Sequence, residues 1–326
     1  MTSFILTRLV QSVLVVLAMS LVLFVAVWLI GNPVDVLISS EASEADRLAT
    51  MKALGLDLPL WQQYLAFLGD AVRGDWGTSF VTKEPVAQVL LSRLPASVEL
   101  ALVAFVIAVS VSIPAGLYAG LKPESPGAKA IMGFSLIGVS IPTFWQGMLL
   151  IVVFALVLPI FPVGDRGEVA THFGITTSLW TADGWSHVFL PAFSLALLKM
   201  SLLIRVTRAA TMEVASLDYV KYAYAKGVRS RRVVGVHILR TALLPLVTVI
   251  GIETGNLLAY GVITETVFSW PGLGKLLINS VKVLDRPMIV AQLSYTAVLF
   301  VAINFIVDVL YTMIDPRVKA LIGRSR

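Results

Sequence analysis

Six apolar runs, each close to the length that crosses a lipid bilayer, recur along the chain and leave it little choice of solvent. A helix needs about 20 consecutive apolar residues to traverse the hydrocarbon core. The runs fall near residues 9–30, 98–121, 130–158, 189–207, 242–268 and 288–311. Composition agrees: 57% of the residues are hydrophobic, 14% are charged, and mean hydropathy is +0.87. Soluble domains carry about 25% charge. A chain this apolar cannot cover its own surface with polar groups, so the expected fold is an all-α integral membrane protein. The first run follows Arg8, exceeds a signal-peptide core and is not followed by an A-x-A site, so it reads as a retained span.

Charge asymmetry sets the expected topology. The stretch 205–240 holds Arg205, Arg208, Lys221, Lys226, Arg229, Arg231, Arg232 and Arg240. The tail adds Arg317, Lys319, Arg324 and Arg326, and Arg8 precedes the first run. Basic loops stay in the cytoplasm. An even number of crossings must then separate Arg8 from Arg205, so 130–158 is read as one crossing with Pro142 as a kink inside it, the freed backbone re-satisfied by Ser140 or neighbouring helices. The expectation is one transmembrane domain over 1–326 with six spans and both termini inside. Outer loops cover 31–97, 159–188 and 269–287.

The net charge of +5 lies between apolar runs and suits anionic lipid rather than nucleic acid. With no cysteine, thiol chemistry is excluded. His172, His187 and His237 lack metal-ligand spacing, so neither metal nor cofactor is expected.

The large outer loop carries structure signals. Asp57 and Pro59 open an amphipathic stretch with Leu60, Trp61, Tyr64, Leu65, Leu68 and Val72 at helical spacing, ended by Gly74-Asp75-Trp76-Gly77. A second helix is expected over Pro85–Leu94. Both segments suit the membrane's outer surface or a cap on the bundle, as scaffold or as contact for a delivery partner.

The cytoplasmic loop 208–241 is more informative. Glu213–Val228 reads as a short helix with Leu217, Val220, Tyr224 and Val228 on one stripe and Gly227 as its stop. Ser230 can then N-cap a second helix leading through Pro245 into the fifth span. Two readings stay open on physical grounds: a rigid helix that seats in a partner's groove, or an interfacial helix with snorkelling basic flanks.

The run Asp218-Tyr219-Val220-Lys221-Tyr222-Ala223-Tyr224-Ala225-Lys226-Gly227, followed by His237-Ile238-Leu239-Arg240-Thr241-Ala242-Leu243-Leu244-Pro245, resembles the cytoplasmic loop of dipeptide/oligopeptide/nickel-type ATP-binding-cassette permeases. Two further stretches are similar to the same family. One is Thr264-Glu265-Thr266-Val267-Phe268-Ser269-Trp270-Pro271-Gly272-Leu273-Gly274. The other is Gly55-Leu56-Asp57-Leu58-Pro59-Leu60-Trp61-Gln62-Gln63-Tyr64 with Gly74-Asp75-Trp76-Gly77. The resemblance covers nearly the whole chain. It implies a bacterial-type inner membrane, and a coupling helix in which Asp218, Tyr219, Lys221, Ala223 and Gly227 engage an ATPase. It implies an outer gate or turn at Trp270, Pro271, Gly272 and Gly274. It also implies a second homologous permease, two ATP-binding subunits and an extracytoplasmic solute-binding protein. The wider superfamily has E-A-A-x3-G in this loop, with a proline about thirteen residues after the glycine. Here Lys221-Tyr222-Ala223 stands at E-A-A and Pro245 falls eighteen residues after Gly227.

No phosphate loop is present: Gly274-Lys275 is followed by Leu276, and Ser269 stands at the first glycine position. The chain itself is therefore not expected to be an enzyme. Ionisable groups within spans are functional candidates. Glu253 lies mid-span between Gly251 and Gly255, which allow close helix approach, and it either lines the path to meet a substrate amine or is protonated or paired within the bundle. Asn256 is the second path candidate. Asp308 and Asn304 suit interhelical or interfacial bonds, and Trp145 and Trp270 suit packing or interface roles better than ligand stacking. The expected function is half of the path of an ATP-driven importer for peptides or related solutes. An ATP-independent secondary transporter or channel is the alternative.

Overall fold

The computed structural model describes residues 2–30, 34, 43–53 and 55–314, excluding the side chains of residues 2–5, 27, 30, 248, 252, 254–260 and 307–314. Arg317, Lys319, Arg324 and Arg326, and the side chains of Asn256 and Asp308, thus lie outside the described residues. In chain order the helices are α1 (Thr2–Ile30), α2 (Glu44–Ala53), α3 (Leu60–Val72), α4 (Val86–Leu121), α5 (Pro126–Ser140) and α6 (Thr143–Ile151). They continue with α7 (Ala182–Ala215), α8 (Asp218–Ala225), α9 (Arg240–Val267), α10 (Leu273–Lys282) and α11 (Arg286–Ile314). A π-helical stretch, Val152–Val157, extends α6; another, Val233–Leu239, follows the single turn Ser230–Arg232 and runs into α9. Strands β1 (Ala170–His172) and β2 (Ile175–Thr177) form a hairpin where the sequence signalled no structure. Phe173 and Gly174 both take positive φ (55° and 78°), as a two-residue hairpin turn requires.

The apolar runs reappear as helices. Leu6–Ala26, Val86–Leu121, Ala182–Ala215 and Arg286–Ile306 are each long and apolar enough to cross a membrane, and α9 adds 28 residues over the fifth run. The third run differs from expectation. Pro142 is not a kink within one helix: α5 stops at Ser140, Pro142 caps the start of α6, and the chain turns by 110°. The residue before a proline is pushed out of the helical region, and Ile141 sits at φ −99°, ψ 129°. Nor does Ser140 satisfy the break, since its hydroxyl donates to the Leu136 carbonyl within its own helix (2.9 Å). Gln146 does so instead, donating to the carbonyls of Gly138 (3.1 Å) and Ile141 (2.9 Å).

Contacts divide the chain into two compact units, residues 1–97 with 271–305 and residues 98–270 with 306–326. In the first, Phe24 of α1 meets Tyr64 and Phe67 of α3 at ring distances of 5.5 and 6.0 Å. The other expected face of α3 is open: Trp61, Leu65 and Val72 are exposed. Pro85–Leu94 is not a separate helix but the start of α4, which is 36 residues long and roughly 54 Å from end to end. Val86 and Leu90 pack there with Leu273, Met288 and Ala291. The buried Asp285 carboxylate takes hydrogen bonds from the Ser79 hydroxyl and the Phe80 amide, tying the turn before α4 to the start of α11.

The second unit is built around α7. Two-thirds of its most apolar window is buried, against 6% for α1. Thr181 caps it by accepting from the Gly184 amide at 2.9 Å. Helix α4 lies against it at Gly116 and Gly120, where a Cβ would come within 2.5 Å of Thr207 Cβ and 2.6 Å of Thr211 Cβ. Only glycine permits so close an approach. Gly138 of α5 meets α7 at Ser201 and Leu197 in the same way. The loop between α6 and α7 is pinned by Glu99, a buried carboxylate near the middle of α4. Arg166 donates to it at 2.6 Å and Thr177 Oγ1 at 2.9 Å, joined by the Ser178 amide and hydroxyl.

Candidate coupling site and a buried charge pair

Helix α8 is shorter than the sequence suggested. Glu213 belongs to the last turn of α7, Ser216 caps that helix, and α8 begins at Asp218 with Leu217 as its N-cap residue. The buried stripe also differs. Val220 and Ala223 face inward, whereas Leu217 and Tyr224 are exposed. A helix of eight residues has room for one apolar ridge. The ridge that packs here is the one facing Ala210 and Val214 of α7 and Val233, Ile238 and Ala242 beyond α8.

The end of α8 follows from Gly227 at φ +75°. The Gly227 amide donates to the Tyr224 carbonyl (2.9 Å) and the Val228 amide to the Ala223 carbonyl (3.2 Å). This is the paired-bond Schellman stop, and Val228 packs onto the same apolar cluster. Ser230 is not a cap: it is the first residue of the next turn, whose N-cap position is Arg229, with no side-chain bond. Pro245 lies inside α9 as expected.

The five predicted coupling residues therefore separate by role. Ala223 is buried and supports α8, so it is not part of its outer surface. Tyr219 donates its hydroxyl to the His237 carbonyl or to Thr241 Oγ1, both at 3.1 Å, and latches α8 to the start of α9. Asp218 and Lys221 form an exposed pair at 3.0 Å one turn apart. Tyr222, which the sequence reading did not single out, is 61% exposed with the Lys226 ammonium 4.6 Å from its ring centre. No periodicity within the segment marks it, because the buried face is set by the elements packed against α8.

Glu253 has a partner that the sequence reading also passed over. Lys199 Nζ of α7 forms an ion pair with Glu253 Oε2 of α9, and the lysine side chain is only 5% exposed. Of the roles open to Glu253, pairing inside the bundle thus has its counter-ion in place. Beside the pair, a cavity of about 10 Å³ lies among Phe105, Ala108, Leu203 and Ile250.

At the end of α9, Trp270 is fully buried, as a packing residue should be, and its amide donates to the Glu265 carbonyl at 2.8 Å. Gly272 caps α10, and the Leu273 amide donates to Ser97 Oγ at 2.8 Å. Gly274 is buried in the first turn of α10.

Several helices long and apolar enough to cross a membrane, with the short α8 between two long ones, define a multi-pass membrane protein, and comparison with known proteins gives its family. Residues 112–320 match the family described as binding-protein-dependent transport system inner membrane component, and residues 1–101 match the family's N-terminal part. The chain is 36% identical over 336 residues to the dipeptide transport system permease protein DppB of Escherichia coli (strain K12), covering 98% of this chain and 99% of that one. It is 38% identical over 321 residues to the oligopeptide transport system permease protein AppB of Bacillus subtilis (strain 168), covering 98% and 100%. It is likewise 38% identical over 333 residues to the di/tripeptide transport system permease protein DppB of Pseudomonas aeruginosa (strain UCBPP-PA14), covering 98% and 99%. The chain belongs to this family of inner-membrane transport components. It is a multi-pass membrane protein and the permease subunit of an ATP-driven importer, not itself a catalytic component.

Proposed function

We propose that the chain forms half of a translocation path for peptides, paired with a second, similar permease. Two ATP-binding subunits on the cytoplasmic side hydrolyse ATP, and a binding protein delivers cargo from outside. Six spans with both termini inside is the topology most consistent with the basic segments, the bent pair α5–α6 counting as one crossing. The substrate class rests on relatives named for dipeptide and oligopeptide transport.

The observation that carries this reading is the mounting of α8. Its inner ridge is buried in the protein's own apolar cluster, while Asp218, Lys221, Tyr222 and Lys226 are left on its outer side. A helix held this way transmits force between two long neighbours and offers an aromatic and charged face to a partner. Exposed Trp61, Leu65 and Val72 on α3 suit the membrane's outer surface. Trp270 to Gly274 serve as the outer turn of the gate.

Reconstitution of the full importer in proteoliposomes tests the reading. Labelled di- and oligopeptides are expected to accumulate only with ATP and binding protein present. Accumulation without ATP would favour a secondary transporter or channel and overturn it.

A further inference from the structure

A buried cation and a largely covered anion paired between α7 and α9 call for a reason. Each loses hydration on burial, and their attraction offsets that loss only where geometry is good. Apolar side chains of similar size would fill the same space at no such cost. The cavity beside the pair within this chain, about 10 Å³, holds at most a single water. The position of the pair along the helices is more telling. Lys199 lies roughly 24 Å from the end of α7 at Ala215, and Glu253 roughly 20 Å from the start of α9 at Arg240. Those two helix ends are the ones that carry α8. Helices α7 and α9 also pack on each other extensively.

We infer that Lys199 and Glu253 clasp α7 and α9 at mid-height, so that these two helices and α8 move as one lever. A push on α8 reaches the middle of the bundle only if its two supports do not shear past one another. Apolar contacts resist separation but tolerate sliding, whereas a buried ion pair fixes the relative height of two helices. Lys199 and Glu253 are thus positioning residues for coupling. This inference rests on α8 being the coupling helix.

The test uses the complete importer in proteoliposomes, with peptide uptake, ATP hydrolysis and membrane level measured together. Lys199→Met and Glu253→Gln are expected to keep ATP hydrolysis within about twofold of the parent while uptake per ATP falls about tenfold or more. The charge exchange Lys199→Glu with Glu253→Lys restores uptake per ATP to within about threefold, because the clasp needs a pair and not a particular polarity. The chain has no cysteine, so Leu203→Cys with Ile250→Cys introduces a unique thiol pair beside the clasp. Joining these thiols with a short bifunctional reagent should leave uptake unchanged, since helices that move together lose nothing by being linked. Normal uptake in the single variants, failure of the exchange at normal membrane level, or loss of uptake on cross-linking would each overturn the inference. Absence of ATP-driven uptake in the parent importer would instead defeat the functional reading beneath it.

Discussion

Helix α8 and the hairpin β1–β2 both stand off the ends of long helices in the same unit, yet opposite chemistry holds them. The hairpin loop depends on one buried carboxylate, Glu99, with Arg166, Thr177 and Ser178 converging on it. Helix α8 depends on small apolar contacts spread over Ala210, Val214, Val220, Ala223, Val233, Ile238 and Ala242. Directional bonds to a single atom pair define one geometry and fail together. Dispersed apolar contacts weaken by degrees and allow small rotations without loss of burial. A segment that must carry load together with its supports is better held in the second way, and one that must present a fixed shape in the first.

This contrast is easiest to break at Glu99. Glu99→Ala leaves the Arg166 guanidinium without its carboxylate in a largely buried site, a change expected to cost about 3–5 kcal/mol. Limited proteolysis should then cut within 159–181 well before the rest of the chain, and an unchanged cleavage pattern would show the network to be dispensable. Ala223→Leu crowds the apolar cradle of α8, at a cost of about 1–3 kcal/mol. Thermal unfolding should shift modestly while ATP hydrolysis becomes less tightly tied to uptake; tight coupling would mean that α8 tolerates displacement. Gly227→Ala meets no neighbouring atom and pays only for the left-handed backbone, about 1 kcal/mol, which Gly227→Asn should largely recover. Equal losses in both variants would point to a contact and away from backbone strain. The smallest effect belongs to the hairpin tip: Phe173 is 99% exposed, so Phe173→Ser should alter unfolding by less than about 0.5 kcal/mol.

The membrane helices were legible because crossing a bilayer imposes length and apolarity on a run, whatever its neighbours do. The coupling segment was legible in place, since Gly227 stops a helix for local reasons. Its true start and inward face were not, because Val220 and Ala223 are chosen by α7 and the π-helical stretch, which lie outside the segment's own periodicity. Pro142 was visible, but the sharp break there depends on Gln146 reaching back to two carbonyls, a tertiary feature with no sequence pattern of its own. Lys199 was hidden by its apolar neighbours. The rule that an ionisable group within a span is functional by default applied to it as much as to Glu253, and pairing the two by charge would have predicted the contact. Glu99, inside the run 98–121, was not singled out, although it lies well within α4.

The π-helical stretch Val233–Leu239 has a consequence for how such chains are compared. A π turn closes its hydrogen bond five residues back where an α turn closes four back. It therefore absorbs chain in girth and gains less height per residue. The eighteen residues from Gly227 to Pro245, against about thirteen in the wider superfamily, pass through this stretch and a preceding turn. Part of the added chain widens the connection and does not lengthen it. Residue number is a poor ruler here, and an alignment that places its gap by counting would shift α9 along its axis and set Glu253 opposite the wrong neighbour.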